Sequence, residues 1–353
     1  MRRRLGAASG QPVVRRLYAR PTLLPLSARI HLDKDIAPPP NWWHATTIVF
    51  TATKRQQIGL VHRISMLRSA KDSVLMDFLW WGKSPRRSDR ANAVVTGAGS
   101  GIGRAFAVEL ARRGGRVVCA DIDPVRAKET VGLVVQAGGD GLDIVCDVSD
   151  EEQVRELAHS AEEWFGESPS LVINNAGIGV GGNVIGATAK RDWETTLSIN
   201  LWGVIYGCEI FVPRLRARGS GGIINVASAA SFGAAPRMAA YNVSKAGVLS
   251  LSETLAAELS GTGVAVTVLC PTFVKTNIVD NPGIEESAAK LATNLMKWTG
   301  VSAESVARKT LDANDRGQLH VLPQVDAKIL WLFKRAVPAT YTRALGLVER
   351  IAR

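Results

Sequence analysis

Between residues 91 and 175 the chain alternates short apolar runs with longer stretches whose apolar positions recur every three or four residues. Ala91 to Val95 is the first run, and its brevity and β-branched content predict a buried strand. Ala105 to Ala111 has helical periodicity and stops at Gly114-Gly115. Arg116 to Ala120 reads as a second strand ending at Asp121, and residues 124–136 as a second helix. Asp140-Gly141 reads as a turn, with a third strand from Leu142 to Cys146 after it. A helix over roughly 150–165, with Asp150 near its start, leads to a strand at 171–174. This regular alternation requires right-handed crossovers and so a parallel sheet.

The second half is patterned less regularly. Residues 178–190 are rich in Gly and Ala. Residues 273–300, with Asn281-Pro282-Gly283, form a long connection that predicts a mobile lid over a substrate. A helix follows Val301 as far as about Asn314, and His320-Val321-Leu322 reads as a short strand. Ile329 to Arg335, with Arg343, Arg350 and Arg353, makes residues 326–353 a basic amphipathic helical tail. A membrane surface, the mouth of a substrate pocket, and packing on the domain or a partner subunit all stay open for it.

Charge sharpens the division into segments. The net charge is +11, but residues 1–75 hold 13 of the 43 Lys/Arg and only 3 of the 32 Asp/Glu. The remaining 30 and 29 leave the body almost neutral, without a basic patch interleaved with aromatics, so no nucleic-acid partner is expected. Residues 1–75 are Arg-rich and show no sustained period. A start assigned too far upstream of Met76, a mitochondrial transit segment and a disordered tail all fit them. Residues 76–90, with Phe78-Leu79-Trp80-Trp81 beside Lys83, Arg86, Arg87 and Arg90, form a short amphipathic lead-in suited to peripheral membrane contact. The domain proper is placed at 91–325. No run reaches the roughly eighteen apolar residues of a spanning helix. Cys119, Cys146, Cys208 and Cys270 are widely spaced without nearby His, which predicts buried thiols, no metal site and a reducing compartment. The cytoplasm is therefore expected, or mitochondria if residues 1–75 are a genuine transit segment.

The chemistry begins at Thr96-Gly97-Ala98-Gly99-Ser100-Gly101-Ile102-Gly103, between the first strand and the first helix. Glycines there let backbone approach a pyrophosphate, and the helix start offers free N–H groups. Asp121 stands 18 residues past Gly103, near the spacing at which a carboxylate meets an adenosine ribose. It would accept from both ribose hydroxyls and repel a 2′-phosphate. Ser100 and Ile122 add no cation, so NAD is expected in preference to NADP, with Arg104 the one residue that blurs this. Further on, Tyr241 and Lys245 are four residues apart, which on a helix stacks them on one face. A neighbouring ammonium lowers the pKa of a phenol, making the pair a tuned proton acceptor.

Taken with Asn174-Asn175-Ala176-Gly177 and a serine thirteen residues before Tyr241, these motifs resemble the classical short-chain dehydrogenase/reductase family over about residues 88–322. The resemblance implies a single Rossmann-type, doubly wound α/β fold with about seven parallel strands and helices on both faces. It implies Tyr241 as acid/base, Lys245 lowering its pKa and binding the nicotinamide ribose, Ser228 polarising the substrate oxygen, and Asn200 supporting a proton relay through Lys245. It places Gly97, Ser100, Gly101, Ile102, Gly103, Asp121, Asp147, Val148, Asn175, Ala176, Gly177, Pro271 and Thr276 around the cofactor. Thr272 departs from the family's common Pro-Gly. Ser231 is expected to be a loop residue and His320 structural. Ala229, Ala230, Phe232 and Met238 would line an apolar pocket for a lipophilic alcohol or ketone, steroid-like or long-chain. A homodimer or homotetramer is implied. Reduction of fatty-acyl or oxoacyl thioesters is the alternative activity, and a non-catalytic NAD-binding regulator the alternative class.

Overall fold

The structure is a computed structural model, and it describes residues 86–274 and 301–351. Every described residue belongs to one compact unit, Trp80–Arg353. Thr276, most of the 273–300 connection and the aromatic run at 78–81 lie outside the described residues.

Seven parallel strands form one sheet: β1 (Asn92–Thr96), β2 (Arg116–Asp121), β3 (Asp140–Val145), β4 (Leu171–Asn174), β5 (Gly221–Val226), β6 (Val264–Leu269) and β7 (His320–Val321). Their order is β3-β2-β1-β4-β5-β6-β7. The chain reverses its direction of travel across the sheet between β1 and β4, which opens a crevice at the carboxyl ends of those strands. Alternate residues of each strand feed opposite cores. Val94, Val118, Val172 and Ile223 join one cluster, and Val95, Val117, Ile173 and Ile224 join the other. This explains the near-continuous apolar runs, because a strand covered on both faces has no polar side.

One face is covered by α1 (Gly101–Arg112), with Phe106 and Leu110 fully buried. The other face carries α3 (Glu151–Phe165). It also carries a long run made of α4 (Lys190–Leu197), a π-helical turn at Ser198–Trp202 and α5 (Gly203–Arg218). Each such fully buried Leu or Phe stabilises the fold by about 1.5–3 kcal/mol. The run Lys190–Arg218 is the one helix among the described residues long and apolar enough to cross a membrane, but half of its apolar window is buried and it packs on β4 and β5. It is a core helix.

Helix starts follow local chemistry. Asp123 caps α2 (Pro124–Gln136), accepting from the N–H groups of Val125 and Arg126, with Pro124 in the first turn. Asp150 caps α3 through Glu152 N–H at 3.0 Å. The Asp140-Gly141 turn needs correction, because both residues lie in β3, paired with Arg116 and Val117. The turn falls earlier, at Gly138, whose φ is +91°. Pairing with β2 overrides the turn propensity of Asp-Gly.

Beyond β5 come α6 (Ala230–Gly233) and α7 (Ala239–Glu258). Beyond β6 come α8 (Ala303–Asp315) and, after β7, two further helices, α9 (Val325–Ala336) and α10 (Pro338–Ile351). The tail packs on α6. Phe232 meets Trp331 edge-on at 4.9 Å, and the Tyr341 hydroxyl donates to the Gly233 carbonyl.

Candidate active site

The glycine turn sits in the crevice beside β1. Gly97 has φ +62°, and a Cβ there would stand 2.7 Å from Ala176 Cα. A Cβ on Gly103 would stand 2.1 Å from the Gly97 carbonyl oxygen. The turn is therefore built on glycine by close approach as well as by φ. Ser100, the N-cap of α1, makes no side-chain cap bond. Ser100, Gly101 and Ile102 are only partly buried, so the first-turn amides can meet an anion. A pyrophosphate fits this cradle.

Asp121 ends β2 as expected, and its carboxylate has two local partners. Oδ2 accepts from Gly99 N–H at 2.7 Å and Oδ1 from Asp123 N–H at 3.0 Å. The carboxylate thus ties the glycine turn to β2 and keeps lone pairs for ribose hydroxyls. Arg104 is turned to the Gly99 carbonyl, Thr130 and Glu129. Arg126 is a cation the sequence reading did not weigh. Its Cβ would lie 2.7 Å from a Cβ at Gly99, and its guanidinium pairs with Asp123 at 3.2 Å. Its position one helical turn into α2 was readable, but its closeness to Gly99 depends on how α2 packs.

The other cofactor-side residues divide in two. Asp147 accepts from the N–H and hydroxyl of Ser149, and Val148 is buried in the core, pressed against Gly203. Asn175 spends its side-chain N–H groups on the carbonyls of Thr96 and Gly97 at 2.9 and 3.1 Å. It braces the turn. Thr96, missed in the sequence, accepts with its hydroxyl oxygen from the N–H groups of Asn175 and Ala176. Pro271 is buried, and its carbonyl accepts from Ala229 N–H at 2.8 Å. At Thr272, where glycine is common in the resembling family, the hydroxyl donates to Asp326 at 3.1 Å. The Thr272 N–H donates to the Gln324 side chain. The departure is explained by the tail, which this residue anchors.

Four residues from three separate elements meet beyond β4 and β5. Tyr241 and Lys245 lie one turn apart in the first half of α7, with the Lys245 ammonium 5.9 Å from the Tyr241 ring centre. Ser228 stands beside Tyr241, where its hydroxyl acts on the phenol, and that hydroxyl accepts from Ala230 N–H at 3.1 Å. Lys245 is buried and donates to the Val226 carbonyl at 3.0 Å. Asn200, fully buried in the π-helical turn, clamps Ile178 by donating to its carbonyl at 2.9 Å and accepting from its N–H at 2.7 Å. A Cβ at Gly177 would lie 3.0 Å from Asn200 Oδ1 and 3.3 Å from Lys245 Nζ, so the two face each other across that glycine. A π turn inside a long helix is a local defect that commonly marks a functional position, and here it carries Asn200.

Burial pushes the Tyr241 pKa up, and the Ser228 hydroxyl pulls it back. The expected depression by Lys245 is not what dominates this geometry, because the ammonium is directed at Val226. Burial lowers Lys245 to about 8, with Cys270 opposing. Cys270 itself is pushed up to about 12 by burial. All four cysteines are buried free thiols. Ser231 lies in α6, where its hydroxyl donates to the Ser228 carbonyl at 2.6 Å, so it supports Ser228 from behind. His320 bonds Glu253 at 2.8 Å on the sheet edge.

A seven-stranded parallel sheet, a glycine cradle at its switch point and a Ser-Tyr-Lys cluster beside it coincide with what comparison finds. Residues 91–286 match the family model for short chain dehydrogenase. The chain belongs to the short-chain dehydrogenase family. A solved short-chain dehydrogenase/reductase from Burkholderia phymatum, in complex with NAD, is 33% identical with a TM-score of 0.62, covering 71% of this chain and 91% of that one. The 1-deoxy-11-beta-hydroxypentalenate dehydrogenase of Streptomyces exfoliatus is 34% identical over 245 residues, 67% of this chain and 84% of that one. The probable oxidoreductase EphD of Mycobacterium tuberculosis is 42% identical over 190 residues, 54% of this chain, and the match spans about a third (32%) of EphD's length. Enzymes of this family are oxidoreductases, and the Burkholderia phymatum structure holds NAD.

Proposed function

We propose that the protein oxidises lipophilic secondary alcohols, or reduces the matching ketones, with NAD and with Tyr241 as acid/base. The observation that carries this is Tyr241 with Lys245 one helical turn beyond it, the ammonium 5.9 Å from the ring centre, and Ser228 beside the phenol. Bound NAD would supply the acceptor for the hydride leaving the carbinol carbon. Ser228 holds the substrate oxygen against the phenol, and Tyr241 takes the hydroxyl proton as the carbonyl forms. Lys245 would support the nicotinamide ribose, with Asn200 fixing the backbone opposite it. In ketone reduction the same proton runs back from Tyr241. The neutral phenol favoured by burial is the form that donates, so reduction suits neutral pH and oxidation an alkaline one.

Asp121 supports the NAD preference, since a 2′-phosphate would meet its charge. Arg126 is the counterweight, and its pairing with Asp123 holds it back. An apolar substrate is supported by a relative named for an 11-beta-hydroxyl substrate, although Phe232 is spent on packing against Trp331 and does not line the pocket. We place the protein in the cytoplasm as a homodimer or homotetramer. Half-exposed Trp202 and Val243 offer apolar contact on the Asn200 turn and α7.

The test compares the wild type with Tyr241→Phe over hydroxysteroids, long-chain alcohols and their ketones, using NAD and NADP in parallel. Turnover with NAD should fall at least about a hundredfold in the variant while NAD binding, read by calorimetry, stays intact. Full activity in Tyr241→Phe would remove the role given to Tyr241. A preference for NADP would remove the one given to Asp121.

A further inference from the structure

The helix α9 is apolar on two opposite sides. Ala327, Leu330 and Trp331 face the domain, where Trp331 meets Phe232 and Leu330 lies against Gly233. Val325, Ile329 and Leu332, spaced at four and three residues, form a second stripe that is 71, 63 and 65% exposed. Phe333, 44% exposed, widens it. A surface helix ordinarily turns polar residues outward, so this stripe points to an occupant.

Its flank is basic. By helical spacing Lys328 and Arg335 border one side of the stripe, and both are exposed. On α10, Arg343, Leu347 and Arg350 repeat at four and three residues on one exposed side. The two acids of these helices are engaged elsewhere, Asp326 with Thr272 and Glu349 with Arg237. Residues 326–353 hold six Lys/Arg and two Asp/Glu, whereas residues 76–325 hold 24 and 27. The positive charge of the catalytic unit is thus gathered at the tail. A second copy seated face to face on this stripe would bring Lys328 and Arg335 towards their own equivalents, with no free acid on the stripe to answer them. An anionic bilayer answers both features, taking the apolar side chains at the headgroup boundary while the cations meet lipid phosphates.

We propose that α9 and α10 form a docking face for an anionic membrane surface, with Val325, Ile329, Leu332 and Phe333 inserted and Lys328, Arg335, Arg343 and Arg350 on the lipid headgroups. The face lies directly over α6, the turn that follows Ser228. A docked enzyme would therefore have its substrate side near the bilayer. The docking stands whether or not the substrate is lipophilic.

The test is sedimentation of the full chain with phosphatidylcholine vesicles, with and without phosphatidylglycerol, beside Ile329→Asp/Leu332→Asp and Lys328→Glu. The wild type should pellet with the anionic vesicles. The double variant should lose about tenfold or more of the partition coefficient, from two exposed side chains that no longer transfer. Lys328→Glu should lose about fivefold or more, the worth of one cation at a charged surface. Light-scattering mass and NAD binding should be unchanged in all three proteins. Wild-type protein that stays in the supernatant, or a double variant that pellets equally well, overturns the proposal. A fall in oligomer mass in the double variant also overturns it, and assigns the stripe to a second copy.

Discussion

At the scale of single residues, the tension sits at Lys245. A buried ammonium with a carbonyl as its hydrogen-bond partner is expensive to keep charged, and its pKa falls from the ordinary 10.5 to about 8. The unfolded chain therefore binds the extra proton between those two values. Below pH 8 the folded state carries the full cost of the buried charge, and stability from this group rises as pH climbs from about 8 towards 10.5. The cost at neutral pH is on the order of 3 kcal/mol. Lys245→Met keeps most of the stem, removes the charge and leaves the Val226 carbonyl without its donor, which returns about 1 kcal/mol. The variant should be inactive yet melt roughly 5 °C higher at pH 7. The gap should close as the pH is raised past the Lys245 pKa. Calorimetry at neutral and alkaline pH reads both. A variant that melts lower at neutral pH would mean that the ammonium stabilises the fold.

At the scale of elements, Thr272 shows what a motif can and cannot convey. Its departure from the common glycine was visible in the sequence, but its reason was not, because Gln324 and Asp326 lie more than fifty residues away and meet it only through packing. Thr272→Gly should cut the side-chain tether to α9. Hydrogen exchange of α9 and α10 should then speed up by about fivefold, the value of one lost bond of roughly 1 kcal/mol, while β5 and β6 keep their protection. Equal loosening of the sheet would show that Thr272 serves the core rather than the tail. The same division explains what was legible. Strands β1, β2 and β4 were readable because burial on both faces writes an uninterrupted apolar run. The glycine turn was readable because close backbone approach admits little else. β3 was misplaced at its start because it is an edge strand, half exposed, whose first two residues are held by pairing and not by composition. Tyr241, Lys245, Ser228 and Asn200 were readable from their spacing and family resemblance. That the Lys245 ammonium is directed at the Val226 carbonyl was not, since it depends on where each side chain points.

At the scale of the whole molecule, charge and chemistry are separated along the chain. Everything that builds the sheet lies between Asn92 and Val321, and the candidate catalytic cluster falls inside that span. The compact unit that holds it begins at Trp80. Residues 1–75 carry ten of the eleven net positive charges. Net charge chiefly governs solubility and non-specific association, not the packing of two apolar layers about one sheet. Removing residues 1–75, so that the chain starts at Met76, lowers the net charge from +11 to +1. The shortened protein should keep its melting temperature within about 2 °C, since less than 1 kcal/mol is at stake in a domain of this size. It should also show the same upward shift of that temperature when NAD is added, because that shift depends only on ligand affinity for the folded state. What should change is colloidal behaviour: elution from a cation exchanger at much lower salt, and earlier precipitation near neutral pH. A melting temperature that drops by ten degrees, or an NAD shift that disappears, would mean that the first 75 residues are part of the catalytic fold.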